Sequence, residues 1–380
     1  MKDRLKIYYI ANARMPTDKA HGIQLAKMCE AFIEAGFGLE LIVPRRKTDP
    51  RSIREFYGLR VEVPVAKLPV PDWYRNSRIG FGASSFVFAL GYFFYLLIKR
   101  IRGERFVIYT TDIDQFSFFL IPFLGIPYFV EMHDAKPKTR PFSWLFRRVS
   151  GIVAVNGIVK SDLERTFPIS PDKIIVCPNG YDPAFFASEQ DKNAARAKLG
   201  LPLDKKMVMY VGRVYPWKGL EVFVNTARLM PDPLFYLVGG TADELRKIGA
   251  MEHQHPNLIC AGKKNLQEIP QWLWAADVLV VLGTSRDEYS WRYTSPMKLF
   301  EYAAAERPIV ASRTPAIQAA VSEREVFFCK PDSAPDLAET IQFVLTHEED
   351  ARRRLAAARS SIVSWKDRAR VINDFIMQWV

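Results

Sequence analysis

Residues 207–220 read Met-Val-Met-Tyr-Val-Gly-Arg-Val-Tyr-Pro-Trp-Lys-Gly-Leu. The apolar run Met207 to Val211 has the length and make-up of a strand buried on both faces. Gly212 follows at once, Pro216 and Gly219 punctuate the next turn, and a helical pattern takes over across 218–229. A buried strand passed through a glycine turn into a helix is the repeating unit of a parallel sheet with crossover helices. The turn also carries chemistry. Glycine lets backbone approach a ligand closely, and Arg213 with Lys218 sets two cations near a helix N-terminus, where an anion such as a diphosphate can be gripped. The segment is neither Gly-x4-Gly-Lys-Ser/Thr nor a complete Gly-x-Gly-x-x-Gly, and a solvated turn is the plainer alternative.

The same rhythm extends both ways from this stretch. Downstream, strands are expected at 234–238, 257–260, 277–282 and 307–311, alternating with helices at 241–250, 266–275, 296–305 and 314–321. Upstream, strands are expected at 5–10, 38–43, 106–110, 127–131, 151–155 and 173–176, with helices at 20–35, 82–100 and 114–122. Between the two series lies Cys177-Pro178-Asn179-Gly180-Tyr181-Asp182-Pro183, dense in turn formers, followed by a polar helical stretch at 190–199. The boundary is placed there. The expected domains are 1–180, 181–362 and a helix at 363–380 whose apolar Ile372, Phe375 and Ile376 suit a return to the first domain.

The chain has 380 residues, 49% hydrophobic and 25% charged, which excludes a disordered, collagenous or coiled-coil protein. Cys29, Cys177, Cys260 and Cys329 stand singly, so neither a disulfide framework nor a zinc site is suggested and a reducing cytoplasm fits. The apolar run Ile7 to Ile10 is too short for a signal-peptide core. Residues 1–180 hold 27 Lys/Arg against 17 Asp/Glu, so nearly all of the net +11 charge lies in the first half. That surplus favours an anionic partner: a membrane surface, nucleic acid or a phosphorylated substrate. No nucleic-acid motif accompanies it, and no nucleic-acid partner is expected. Residues 79–98 are uncharged and end in Lys99-Arg100-Ile101-Arg102; small residues in the first part favour a helix of an α/β domain, buried or lying at a bilayer interface, over a membrane span.

A second chemical segment is Tyr293-Thr294-Ser295-Pro296-Met297-Lys298-Leu299-Phe300-Glu301-Tyr302-Ala303. Pro296 makes a good helix start and leaves the Met297 and Lys298 amides free for phosphate oxygens. Glu301, one turn in, could accept both hydroxyl protons of a ribose; alternatively it is a polar face residue of an amphipathic helix. The pair His253-x-His255 lacks a third ligand and reads as surface.

These two segments, with Val176-Cys-Pro-Asn-Gly-Tyr-Asp182, Ala11-Asn-Ala-Arg-Met-Pro16, Ala20-His-Gly-Ile-Gln24, Glu131-Met-His-Asp134 and Ser364-Trp-Lys-Asp-Arg368, resemble the retaining nucleotide-sugar glycosyltransferases of family 4. The resemblance spans nearly the whole chain. It implies the α/β GT-B fold: two Rossmann-like, doubly wound domains facing a central cleft, with a C-terminal helix crossing back to the first. It further implies that Gly212, Arg213 and Lys218 hold the donor diphosphate, Glu301 the ribose, and Ser295, Pro296, Met297 and Lys298 the phosphates and sugar through backbone donors. Gly22 would bring the opening helix's positive end to the diphosphate, Gly262 would belong to the donor nucleotide site with the Lys263-Lys264 pair after it flanking the nucleobase, and His133 would orient the transferred sugar. The family often has a Glu-x7-Glu pair, but the position eight before Glu301 is Tyr293, so Asp287 or Glu288 is expected to take the donor-sugar contact.

The implied enzyme is a retaining transferase of EC class 2.4, with a UDP- or GDP-sugar as donor substrate. No cofactor or metal is expected to be required, Arg213 with Lys218 taking the place of the divalent metal that other transferases use. A glycan or lipid-linked saccharide is the acceptor, met at the cytoplasmic face of the membrane through Arg45, Arg46, Lys47, Arg51, Arg54, Lys136, Lys138 and Arg140. A nucleotide-sugar epimerase and a non-catalytic sugar-nucleotide-binding subunit are the alternatives on the same frame. The oligomeric state is not legible.

Overall fold

The computed structural model describes residues 5–71, 73, 78–114, 116–187, 191–251 and 255–380; His253 lies outside them. The chain divides into two compact units, one of Met1–Pro178 with Trp365–Val380, the other of Asn179–Ser364.

The first unit holds a parallel sheet of β1 (Lys6–Ile10), β2 (Gly38–Arg45), β3 (Val65–Pro69), β4 (Phe106–Thr111), β5 (Tyr128–Met132), β6 (Gly151–Ala154) and β7 (Ile174–Val176), in the order β3-β2-β1-β4-β5-β6-β7. The second holds β8 (Met207–Val211), β9 (Leu234–Val238), β10 (Leu258–Gly262), β11 (Val278–Val281), β12 (Ile309–Ser312) and β13 (Phe327–Cys329), also parallel, in the order β10-β9-β8-β11-β12-β13. Strands covered on both faces read as unbroken apolar runs, and β5, β8 and β11 are buried along their whole length. In each sheet the order reverses beside its first strand, at β1/β4 and at β8/β11, so a crevice opens outside the carboxyl ends of those strands. Both units are Rossmann-like.

The expected helix at 114–122 is not formed. The Asp114 carboxylate accepts the Phe116 and Ser117 amides, both at 2.7 Å, and only a 3-10 turn at Ile121–Leu124 follows, closed by Gly125 at φ +60°. A side chain that captures amides locally competes with the helical ladder.

The C-terminal helix Trp365–Met377 belongs to the first unit. Its Ile372, Phe375 and Ile376 are buried. The Phe375 ring fills the space a β-carbon on Gly151 would need, with Cε1 2.5 Å from that position, which is why β6 begins with glycine.

Candidate functional site

In the second unit the chain leaves β8 through Gly212, whose N–H donates to the Val238 carbonyl at 2.7 Å. A β-carbon here would lie 2.7 Å from Lys298 Nζ, so the glycine admits that ammonium to the end of β8. Lys298 is the second residue of the helix Met297–Ala304. Its ammonium sits 3.8 Å from the Tyr210 ring centroid, enclosed, without a hydrogen-bond partner among the described residues. Enclosure pulls its pKa well below the lysine range; Lys218 adds to the shift and Glu301 opposes it. The aromatic face compensates only part of the lost hydration.

Lys218 closes the 3-10 turn Pro216–Lys218, and Gly219 at φ +67° turns the chain into the helix Leu220–Leu229. Burial lowers the Lys218 pKa to about 8, with its ammonium 4.5 Å from the Trp217 ring. Glu301 is held above the usual carboxylate range by burial, against the pull of Lys298. Arg213, half-buried, donates to the Tyr215 hydroxyl at 3.4 Å. Two lysines held below their normal proton affinity, beside an amide-bearing helix start, form a site whose electrostatics improve when an anion arrives.

Asn179 lies in the turn-rich segment Val176 to Asp182. Its amide donates to the Ser295 carbonyl at 3.0 Å and the Ser295 hydroxyl at 3.3 Å, fixing the residue before Pro296, while its buried Oδ1 has no hydrogen-bond partner among the described residues. Asp287 does not extend freely: its carboxylate accepts the Ser290 amide at 2.8 Å and starts the π-helical turn Tyr289–Tyr293, where Tyr293 is half-buried. Glu288 is exposed. Gly262 ends β10 at φ +72°.

In the first unit, His133 leaves β5 one residue past its end and shares a buried network. Its Nε2 lies 2.9 Å from Glu131 Oε1 and 3.0 Å from the Gln24 amide nitrogen. Arg368, from the C-terminal helix, meets both Glu131 oxygens, at 2.9 and 3.1 Å, and Tyr109 donates to Oε2 at 2.7 Å. Burial alone would raise the Glu131 pKa, but Arg368 and His133 hold it well below the carboxylate range. For His133, burial lowers the pKa, yet Asp112 and Glu131 outweigh it and the net shift is upward.

The imidazolium's contribution to stability is complete below its ordinary value of 6.5 and is lost as pH rises through the raised one. Glu131's contribution is present above its ordinary 4.5 and is lost as pH falls through the lowered one. His133→Gln should therefore remove a component of the urea midpoint that falls as pH rises above 6.5, so the difference between wild type and variant shrinks with rising pH. A difference that stays constant with pH would exclude His133 from that component.

Gly22 is the third residue of the helix Ala20–Glu34. A β-carbon there would meet Thr17 Cγ2 at 2.4 Å and the Tyr57 hydroxyl at 2.5 Å, so local packing already demands glycine. Gly22→Ala is expected to cost about 1–3 kcal/mol through overpacking, read as a lower urea midpoint at constant slope; an unchanged midpoint would show that the helix start relaxes freely.

The basic candidates differ in their pairing. Arg51 is held by Asp49 through two contacts of 2.9 Å, and Lys136 by Asp134 at 2.5 Å. Arg46 donates to Asn12 at 2.9 Å and Arg45 to the Lys67 carbonyl at 3.5 Å. Lys47, Arg54, Lys138 and Arg140 are exposed.

Residues 22–185 match the family model described as Glycosyltransferase Family 4, and residues 205–347 the model described as Glycosyl transferases group 1. Sucrose-phosphate synthase from Thermosynechococcus elongatus superposes with a TM-score of 0.78 at 17% identity, covering 99% of each chain. Alr3699/HepE from Anabaena, in complex with UDP, superposes at 0.73 with 16% identity, covering 98% of this chain and 100% of that one. The fold is GT-B. In sequence, the chain is 27% identical over 224 residues to the putative teichuronic acid biosynthesis glycosyltransferase TuaC of Bacillus subtilis (strain 168), covering 57% of this chain and 54% of the relative. The match thus spans about half the length of that relative. Within the GT-B chain, the matched spans contain Gln24, Glu131, His133, Asn179, Arg213, Lys218, Lys298 and Glu301, whereas Arg368 lies outside both.

Proposed function

We propose that the protein is a glycosyltransferase of EC class 2.4 that moves a sugar from a UDP- or GDP-sugar to an acceptor hydroxyl, with retention of anomeric configuration. The observation that carries this reading is the enclosed, unpartnered Lys298 ammonium at the β8/β11 switch point, one helical turn from Glu301 and coupled to Lys218. A nucleoside diphosphate supplies what these groups call for: two phosphates for the cations and amides, and a ribose diol for the carboxylate. Arg213, Lys218 and Lys298 then meet the negative charge that grows on the departing diphosphate, each well-placed group contributing roughly 3–4 kcal/mol. The departing phosphate takes the acceptor's proton as the new bond forms on the same face. His133 is assigned to orienting the transferred sugar. Its replacement by Ala should lower kcat while leaving diphosphate affinity unchanged; equal losses in both would assign it to binding instead.

The reaction is proposed to need no metal, so activity should survive EDTA. The acceptor is proposed to be a lipid-linked saccharide or cell-surface glycan intermediate, met at the cytoplasmic side of the membrane.

A thermal-shift series with UDP and GDP tests the reading, because a ligand that binds only the folded state raises the melting temperature according to its affinity. One of the two should stabilise the wild type, and donor-dependent transfer should follow with that base. An epimerised donor without a transfer product would make the protein an epimerase; binding without turnover would make it a binding subunit.

Lys218 adds a pH signature. The unliganded side chain sheds its proton near pH 8 and a diphosphate favours the ammonium, so affinity should fall as pH rises past about 8. Calorimetry at about pH 7 and about pH 9 reads this, and equal affinities would exclude Lys218 from the contact.

A further inference from the structure

The helix Arg78–Ile101 is apolar on two sides. Its inner side, Phe88, Ala89, Tyr92 and Leu96, is fully buried in the first unit. Its outer side, Ile79, Phe86, Phe94, Ile98 and Ile101, is 46–83% exposed. Those positions follow helical spacing, so they form one stripe about 33 Å long at 1.5 Å per residue. No charged residue occurs from Ile79 to Ile98, and a surface helix ordinarily turns a polar face to water.

Neighbouring rings widen the stripe. Phe119 lies parallel to Phe86 at 5.8 Å, and Phe116, also exposed, meets Phe81 edge-on at 6.3 Å. Beyond the 3-10 turn, exposed Phe123 packs on Trp144 at 5.3 Å, and the Arg148 guanidinium covers Trp144 at 3.7 Å. Exposed Arg102 and Arg105 lie just past the helix, and exposed Arg147 and Arg148 end the helix Arg140–Arg148. The nearby Glu104 is paired with Lys6, Lys99 and Tyr8.

We propose that this face seats the first unit on an anionic phospholipid bilayer, with the helix lying along the surface. Aromatic and branched side chains enter the acyl boundary while the flanking arginines meet phosphate headgroups. The helix does not cross the bilayer, because leaving the unit would strip its inner side from the core and break the bonds from Ser84 to the Pro71 carbonyl at 2.8 Å and from Asn12 to Ser85 at 3.0 Å. A second copy is the alternative occupant of this face, and sedimentation distinguishes it from a bilayer. The proposal does not rest on the transferase reading, and its test contains no nucleotide sugar.

The full chain is floated with vesicles of phosphatidylcholine alone and of phosphatidylcholine containing about one-third phosphatidylglycerol. Binding to the anionic vesicles only, weakened by salt, is expected. Phe86→Glu with Phe94→Glu should reduce the bound fraction at least tenfold at an unchanged melting temperature, and Ile98→Lys should reproduce the loss. Arg147→Gln with Arg148→Gln should reduce it several-fold. The proposal is overturned if the wild type stays unbound, if the Phe variants float equally well, or if sedimentation shows a dimer that those variants split.

Discussion

Arg368→Met is expected to destabilise the first unit by about 3–5 kcal/mol, the cost of leaving a buried charge without its partner. Arg368 and Glu131 are both fully buried, so solvent screens neither. Besides its two contacts to Glu131, the guanidinium donates from Nε to the Pro178 carbonyl at 2.8 Å and from Nη2 to the Cys177 carbonyl at 3.3 Å. It thereby ties the C-terminal helix both to β5 and to the segment that follows β7. Methionine would leave the Glu131 carboxylate with Tyr109, Gln24 and His133, none of which carries a permanent charge. Arg368→Lys should be only partly better, because an ammonium cannot serve two carboxylate oxygens and two carbonyls in one plane. The double variant Arg368→Met with Glu131→Leu should recover much of the loss, since an apolar replacement of a buried pair is often neutral. Urea denaturation reads all three. A single-variant loss below about 1 kcal/mol, the range of an ordinary substitution, would contradict the assigned role.

Lys298→Ala is expected to act in the opposite way. Its ammonium is enclosed without a hydrogen-bond partner among the described residues, so removal relieves a desolvated cation, and stability without ligand should hold or rise. Transfer, in contrast, should fall about 100- to 1,000-fold, the usual consequence of deleting one group that stabilises transition-state charge. Stability kept and turnover lost is the signature of a residue retained for chemistry. Lys298→Met separates bulk from charge and should behave like the alanine variant. A variant that loses stability and keeps turnover would reduce Lys298 to a packing residue over Tyr210.

The main sheets were legible because their central strands are buried on both faces. Tyr128 to Met132 and Met207 to Val211 can be read as strands without knowledge of their neighbours. Of the four edge strands, β7 and β10 were legible at 173–176 and 257–260, whereas β3 and β13 were not. β3 reads Val-Ala-Lys-Leu-Pro and is partly exposed along its length, and β13 is three residues long, so neither shows a period. The helix at 114–122 failed for a related reason: a single aspartate diverted the amides the periodicity had assigned to a helix.

The candidate site was legible as motifs but not as side chains. Gly212, Lys218 and Glu301 stand out by residue type at the end of a strand or the start of a helix. Lys298 was assigned only its backbone, because nothing in sequence shows that Gly212 opens the space its ammonium occupies. Glu131 and Arg368 are 237 positions apart, and only the return of the last helix brings them together. Asn179 reads as a turn residue until its amide is seen on Ser295. A partner this distant leaves no local signal, whereas a turn glycine or a helix-starting proline does.

The turn after β8 and the start of the helix Met297–Ala304 are proposed to bind a nucleoside diphosphate together, through Lys218, Lys298 and Glu301. Isothermal titration of UDP and GDP into the wild type, Lys298→Ala and Glu301→Ala reads this binding. One nucleotide should bind the wild type, with each substitution weakening it at least tenfold. Equal binding by all three proteins, or no binding of either nucleotide to the wild type at millimolar concentration, would contradict the account.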